Sequence, residues 1–258
     1  MTRQLLSALG SAHAAGTRLL ATGNIEIGNH VTRKLGGLSF ELDIIWSTVI
    51  AGAIVVALGL IMARRATSGV PGKLQLFFET VVDQVNQLVE STVGPAGTRI
   101  VPMAVSLFLF ILTANWLEVI PSTPKGSTEY LPAPTNNVNL TYAMALVAII
   151  IVHAASIRTR GLRGYLRHYL QPFPFFLPIN IIEEITKPVT LALRLFGNLF
   201  AGTLMLLLIA ALLPVFIVPF GDIAWKLFDM FIGFIQAFIF ALLFIVYYGM
   251  ATSVDEAH

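Results

Sequence analysis

The sequence predicts an all-α polytopic membrane protein of five membrane-spanning helices plus an interfacial amphipathic helix. Three observations carry that prediction. Hydrophobic residues make up 56% of the 258 positions and charged residues 12%, about half the usual charged share. Mean hydropathy is +0.80. Five apolar stretches approach or exceed the roughly 20 helical residues that cross a hydrocarbon core. The same numbers exclude other classes. With no cysteine there is no disulfide framework or thiolate metal site, and the five histidines show no zinc spacing, so neither a metal nor a cofactor is expected. A net charge of +2 is too small for a nucleic-acid footprint, so the solvent to reason about is the lipid bilayer.

Residues 1–41 read as an external N-terminal segment, because Arg18, Asn24, Glu26, Asn29 and Arg33 interrupt any signal-peptide core. Residues 42–258 form a single membrane domain. Its spans are expected at about 44–62, 101–117, 140–156, 185–213 and 223–250. Between the first two, Leu74, Phe77, Phe78, Val81, Val85 and Leu88 recur at helical spacing, with Gln75, Glu79, Asp83, Gln87 and Glu90 on other faces. That pattern predicts an interfacial helix over about 73–91. Pro121 to Pro134 reads as an irregular external loop, and no inverted repeat marks a secondary transporter.

Basic residues near span ends set orientation. Arg64, Arg65 and Lys73 follow the first span and Arg158, Arg160, Arg163 and Arg167 the third, whereas the loop from Pro121 to Val138 holds only Lys125. The N-terminus is therefore expected outside and the C-terminus in the cytoplasm, in a multi-pass protein of the plasma (inner) membrane. The arginine cluster could alternatively bind anionic lipid or a partner.

The last two spans are too long to stand upright. The roughly 31 residues from Glu183 to Leu213 would make a helix about 46 Å long in a slab about 30 Å thick, a tilt of roughly 50° unless Pro188 shortens it. A strongly tilted hairpin follows. Inside it stands Arg194, in the run Leu191-Ala192-Leu193-Arg194-Leu195-Phe196-Gly197-Asn198. An arginine at bilayer depth costs about 2.5 to 3.5 kcal/mol on insertion scales, so it needs a polar path or an acidic partner. Lys187, nearer an end, can snorkel; Arg194 is ten or more residues from either end of its stretch. Glu183 and Glu184 lie about 15 Å back along the axis, where a helix N-terminus stabilises them without help. The missing counter-charge points to a partner chain.

The run "LALRLFGNLFAG", preceded by "EEITKPVT" and followed by "IQAFIFALLFIVYYGMA", closely resembles subunit a of the rotary F-type ATP synthase, of bacterial type; "KLQLFFE" and "NNVNLTYAMAL" extend the match over most of the chain. The resemblance implies a non-catalytic stator subunit whose tilted hairpin lies against a rotor ring of c subunits. Two offset half-channels would pass protons to and from the ring carboxylates, with Arg194 as their electrostatic partner, coupling proton flow to rotation and ATP synthesis. Peripheral-stalk b-type subunits and the rest of the ATP synthase complex are implied partners. No Gly-x-x-x-x-Gly-Lys phosphate cradle is present, so nucleotide binding is not expected of this chain. A self-contained ion channel or anion transporter using Arg194 to bind substrate is the alternative, and a purely structural assembly subunit is a third reading.

The resemblance also pairs Arg194 with Gln236 across the hairpin, which puts the reversal near residue 215, beside Pro214. In that register Thr203 lies opposite residue 227, close to Asp229. The family often has a carboxylate where Thr203 stands and a histidine where Asp229 stands, so here Asp229 is expected to be the proton acceptor of the external half; a helix-end acid is its plainer reading. Asp229 and Gln236, seven apart, share a helical face. Asn198, one turn after Arg194, can orient water or the ring carboxylate, or simply bond a neighbouring helix. Gly197 and Ala201 would allow close helix approach, as in generic packing. Asn136, Asn137 and Asn139 precede the third span, where a turn or N-cap role competes with a place for Asn137 in the proton path. Glu118 is a second candidate at the external mouth, or an interface anchor. His153 reads as a packing residue.

Overall fold

The computed structural model describes residues 32–252, except 36–37, 68, 118–133, 170–172, 174, 176 and 215. The segment before Thr32, the stretch 121–133 and Glu118 therefore lie outside the described residues. Among the described residues five helices are long and apolar enough to cross a membrane.

One departure from an all-helical chain comes first. Strands β1 (Thr32–Leu35) and β2 (Leu38–Glu41) pair antiparallel, with Thr32 opposite Glu41. The Gly36-Gly37 pair between two four-residue runs is a hairpin signal within the external N-terminal segment. Helix α1 (Leu42–Arg65) follows directly and ends on its two arginines. It buries only Asp43, Ile44, Ser47 and Ala51 and leaves Trp46, Val49, Val56 and Leu60 exposed, apolar surface suited to lipid.

The amphipathic helix α2 (Lys73–Val93) runs two residues beyond its expected end and buries Phe78, Val85 and Val89, which are seven and four apart on one face. It stops at Gly94, whose φ of +85° suits a residue without a Cβ. A 3₁₀ turn, Pro95–Ile100, leads into α3 (Val101–Trp116). Helix α4 (Val138–Tyr169) contains a break at Gly161, φ +70°, so its basic end, Arg163 onward, bends away from the span.

Helices α5 (Leu177–Leu212) and α6 (Val218–Thr252) form the hairpin. Helix α5 begins eight residues before the expected Ile185, because Pro188 sits inside it without ending it. At 36 and 35 residues the two helices are about 54 and 52 Å long, well beyond the roughly 30 Å slab. The turn is held by Ile217 N and Val218 N donating to Pro214 O, so the reversal falls where the sequence placed it.

The core gathers around α6. Ala237, Phe240, Ala241, Phe244 and Ile245 are buried with Phe108 and Ile111 of α3, Ala145 and Ala148 of α4, Leu191 and Leu195 of α5, and Val85 and Val89 of α2. Helices α3 and α6 approach closely at Gly233, where an added Cβ would lie 3.1 Å from the Asn115 Cβ. Gly233→Val should overpack this contact and destabilise the chain by about 1–3 kcal/mol. A lowered thermal unfolding midpoint of the detergent-solubilised protein would register it. Gly59→Val, which meets nothing within 4 Å, should leave the midpoint in place; equal effects at both sites would contradict the packing described.

Candidate functional site

The hairpin keeps one register along its length. Ile209 lies against Gly221, Gly202 against Asp229, and Lys187 Nζ is 5.6 Å from the Tyr247 ring centroid. Residues equidistant from the turn therefore meet, and Arg194 lies within about one helical turn of the level of Gln236.

Helical periodicity sorts the surroundings of Arg194. Leu191, Ala192 and Leu195 are buried toward the rest of the chain, whereas Thr190, Arg194, Gly197, Ala201, Met205 and Leu208 are exposed at spacings of three and four, one stripe along α5. The guanidinium thus stands on an outward, otherwise nearly uncharged face whose nearest positions toward the turn are small. Among the described residues Arg194 forms no ion pair. The α5 acids are committed elsewhere. Glu184 lies 2.9 Å and Glu183 3.9 Å from Lys187 Nζ, and His153 Nε2 is 4.0 Å from Glu184.

Two amides flank the arginine's level with unmet donors. Gln236 is 5% exposed and Asn198 is half-buried; the Nδ2 of Asn198 and the Nε2 of Gln236 have no hydrogen-bond partner among the described residues. A buried donor left unmade costs about 1–3 kcal/mol, so both nitrogens are open to a further partner. Asn198 is accordingly not tied to a neighbouring helix through that nitrogen.

Toward the turn, Asp229 packs against Gly202. A Cβ there would come within 2.8 Å of Asp229 Oδ1, so the glycine makes the space that the carboxylate occupies. The same backbone is gripped by Trp225, whose Nε1 donates to Gly202 O at 3.0 Å. Thr203 follows Gly202 in α5, but its side chain lies outside the described residues.

A second polar line descends from the N-terminal end of α1. Asn137 Oδ1 accepts from Asn139 N at 2.9 Å and Leu140 N at 3.3 Å, capping α4, while Asn137 Nδ2 donates to Glu41 Oε2. In the adjacent 3₁₀ turn, Pro134–Asn136, the fully buried Thr135 donates to Asn115 Oδ1 at 2.8 Å. Asn115, 4% exposed, donates to Gly233 O at 3.0 Å, and Trp116 Nε1 to Met230 O at 3.3 Å.

Three sequence readings change at the opposite end. Lys187 does not snorkel: its side chain is 16% exposed, enclosed by Glu183, Glu184 and the face of Tyr247. Glu183 and Glu184 are not first-turn acids, because α5 starts at Leu177 and the pair sits in its second turn, ion-paired. His153 is more than a packing residue, with Nδ1 3.4 Å from Tyr165 Oη and Nε2 facing Glu184.

Of the residues singled out by sequence, then, Arg194, Asn198, Gln236 and Asp229 share the hairpin, Asn137 belongs to the line from Glu41, and Glu118 lies outside the described residues. Gly202, Trp225, Asn115, Thr135 and Glu41 were missed. Only Asn115, a lone amide in an apolar span, carried a local signal.

The protein-family profile described as ATP synthase A chain matches residues 45–249. ATP synthase subunit a of Acidothermus cellulolyticus is 50% identical over 93% of this chain and 87% of its own length. The Mycobacterium tuberculosis subunit a is 42% identical over 94% of this chain and 99% of its own, and that of Aliivibrio salmonicida 34% over 92% and 97%. A guanidinium left unpaired on the long hairpin and a likeness spanning nearly the whole sequence lead to one conclusion: the chain belongs to the ATP synthase A chain family, the subunit a family.

Proposed function

We propose that this multi-pass, non-catalytic proton-conducting subunit works by presenting Arg194 to the carboxylates of a rotating c-subunit ring, with the Thr190-to-Leu208 stripe of α5 as the ring-facing surface. The observation that carries the reading is the exposed guanidinium without an ion-pair partner among the described residues, on an apolar helix face.

The chemistry follows from what arginine cannot do. A guanidinium stays protonated throughout the accessible pH range, so it holds a carboxylate ionised without itself becoming a leak. At 4 Å and an effective dielectric of 20 the attraction is about 4 kcal/mol, roughly three pKa units. A ring carboxylate carried away into lipid is shifted the other way by desolvation, by up to 3–5 units. Protons therefore load as a carboxylate leaves Arg194 and depart as it returns. Asn198 and Gln236, with their free amide donors, orient the arriving carboxylate or its water. Two half-channels offset across Arg194 make rotation the only route for net flow, and each proton crossing 100 mV delivers about 2.3 kcal/mol.

The topology that serves this mechanism places residues 1–41 and the hairpin turn outside, the basic ends and the C-terminus in the cytoplasm, and residues 42–258 as one domain of the plasma membrane. Asp229, in the space left by Gly202, is the proton acceptor of the external half, and Thr203, Glu118 and Asn137 are the further candidates for that path. Peripheral-stalk b-type subunits hold the stator against the torque of the ring.

Arg194→Ala should abolish ATP-driven proton pumping by the assembled synthase in inverted membrane vesicles, and Arg194→Lys should stall or leak. Pumping at the unmodified rate in Arg194→Ala vesicles would refute the role, and proton conduction by the purified chain without a ring would favour a self-contained channel.

Asp229→Asn should slow ATP synthesis driven by acid on the external side, with Asp229→Glu retaining most of the rate. Synthesis rates unchanged across external pH would exclude Asp229 from the path.

A further inference from the structure

Four groups at the outer end of the helices line up as two hydrogen-bonded pairs, Glu41–Asn137 and Thr135–Asn115, joined through the Asn137 N to Pro134 O bond of the turn that carries Thr135, and only the first member of the line can hold a proton. Asn137, Thr135 and Asn115 donate and accept hydrogen bonds without titrating. They lead by way of Gly233 O toward Gln236, less than one turn further along α6, whose Nε2 is unpartnered among the described residues. The carboxylate that opens the line belongs to Glu41.

We propose that Glu41 is the outermost proton acceptor of the external path, sharing its hydrogen bond with Asn137. The inference rests on the reading of Arg194 given above and adds the point at which protons are collected from bulk water.

Three features place Glu41 there. Its backbone is fixed by the strand pair opposite Thr32 and by the start of α1, so the carboxylate is positioned rather than trailing in solvent. Its side chain is half-buried, reachable from water on one side while meeting Asn137 on the other. Asn137 cannot turn its oxygen toward it, because that oxygen caps α4; the amide nitrogen faces Glu41 and donates to its carboxyl oxygen. The other described carboxylates at this end are differently engaged. Asp43 is buried and accepts from Ile44 N in its own first turn, Asp222 lies near the hairpin turn, and Asp229 packs on Gly202. In the step itself a proton leaves a hydronium ion outside, bonds to a Glu41 carboxylate oxygen, and passes to the next water inward; only O–H bonds form and break.

The plainer role for the same contact is a tie between α1 and α4. Glu41→Gln separates the two, because a glutamine oxygen still accepts from Asn137 but takes up no proton. In vesicles carrying the whole synthase, with synthesis driven by acid on the external side and amounts of complex matched, Glu41→Gln should run slower by on the order of tenfold. Glu41→Asp should keep most of the rate. The decisive variant combines Glu41→Gln with Asn137→Asp, which moves the carboxylate to the other partner of the hydrogen bond and should restore synthesis. Normal synthesis in Glu41→Gln, or no recovery in the assembled double variant, would overturn the proposal. Either result leaves the Arg194 reading standing so long as Arg194→Ala still abolishes pumping, so the two failures are distinguishable.

Discussion

A permanent cation set in an apolar helix face, with no counter-charge in its own chain among the described residues, is the constraint on which this molecule turns. Burying such a group on an isolated helix is unfavourable by several kcal/mol. Every nearby acid that could have relieved it is committed: Glu183 and Glu184 to Lys187 and His153, and Asp229 to the hollow at Gly202. Among the described residues the fold leaves Arg194 without a counter-charge, and that is the opening the proposed contact with a ring carboxylate uses.

The rest of the architecture holds that charge in place. Helix α6 is the keel: its buried face of Ala237, Phe240, Ala241, Phe244 and Ile245 packs into the bundle, and α5 lies along it in constant register. Leu191, Ala192 and Leu195 anchor the α5 face behind Arg194, so the guanidinium is directed outward by packing rather than by a hydrogen bond. Polar contacts are concentrated toward the two ends of the bundle: the Asn115–Thr135 and Asn137–Glu41 pairs at one and the His153–Glu184–Lys187 group at the other. Between them lies the level of Arg194, Asn198 and Gln236. That layout sets ionisable pairs toward each end and, between them, an arginine without an ion-pair partner among the described residues.

Much of this was legible in the sequence because hydropathy and helical period are local properties. The five spans, the amphipathic helix, the reversal near Pro214 and the isolation of Arg194 all follow from runs of neighbouring residues. What escaped depended on residues distant in the chain or on single dihedral angles. Glycine at 161 reads as an ordinary span-end residue until its φ of +70° breaks α4. The sequence expects Pro188 to kink the first turn and shorten the span, yet it lies inside α5, which extends back to Leu177. Gly202 carries no chemistry of its own and matters only through Asp229, 27 positions later. Glu41 and Asn137 are separated by 96 positions, and no periodicity connects them.

The most direct measurement is a structure of the assembled membrane sector, ring included, at a resolution that places side chains. The Arg194 guanidinium should lie about 4 Å from a ring carboxylate, or be joined to it through one water. An Arg194 neutralised by an acid of its own chain, or extended toward the lipid headgroups, would contradict the role assigned to it.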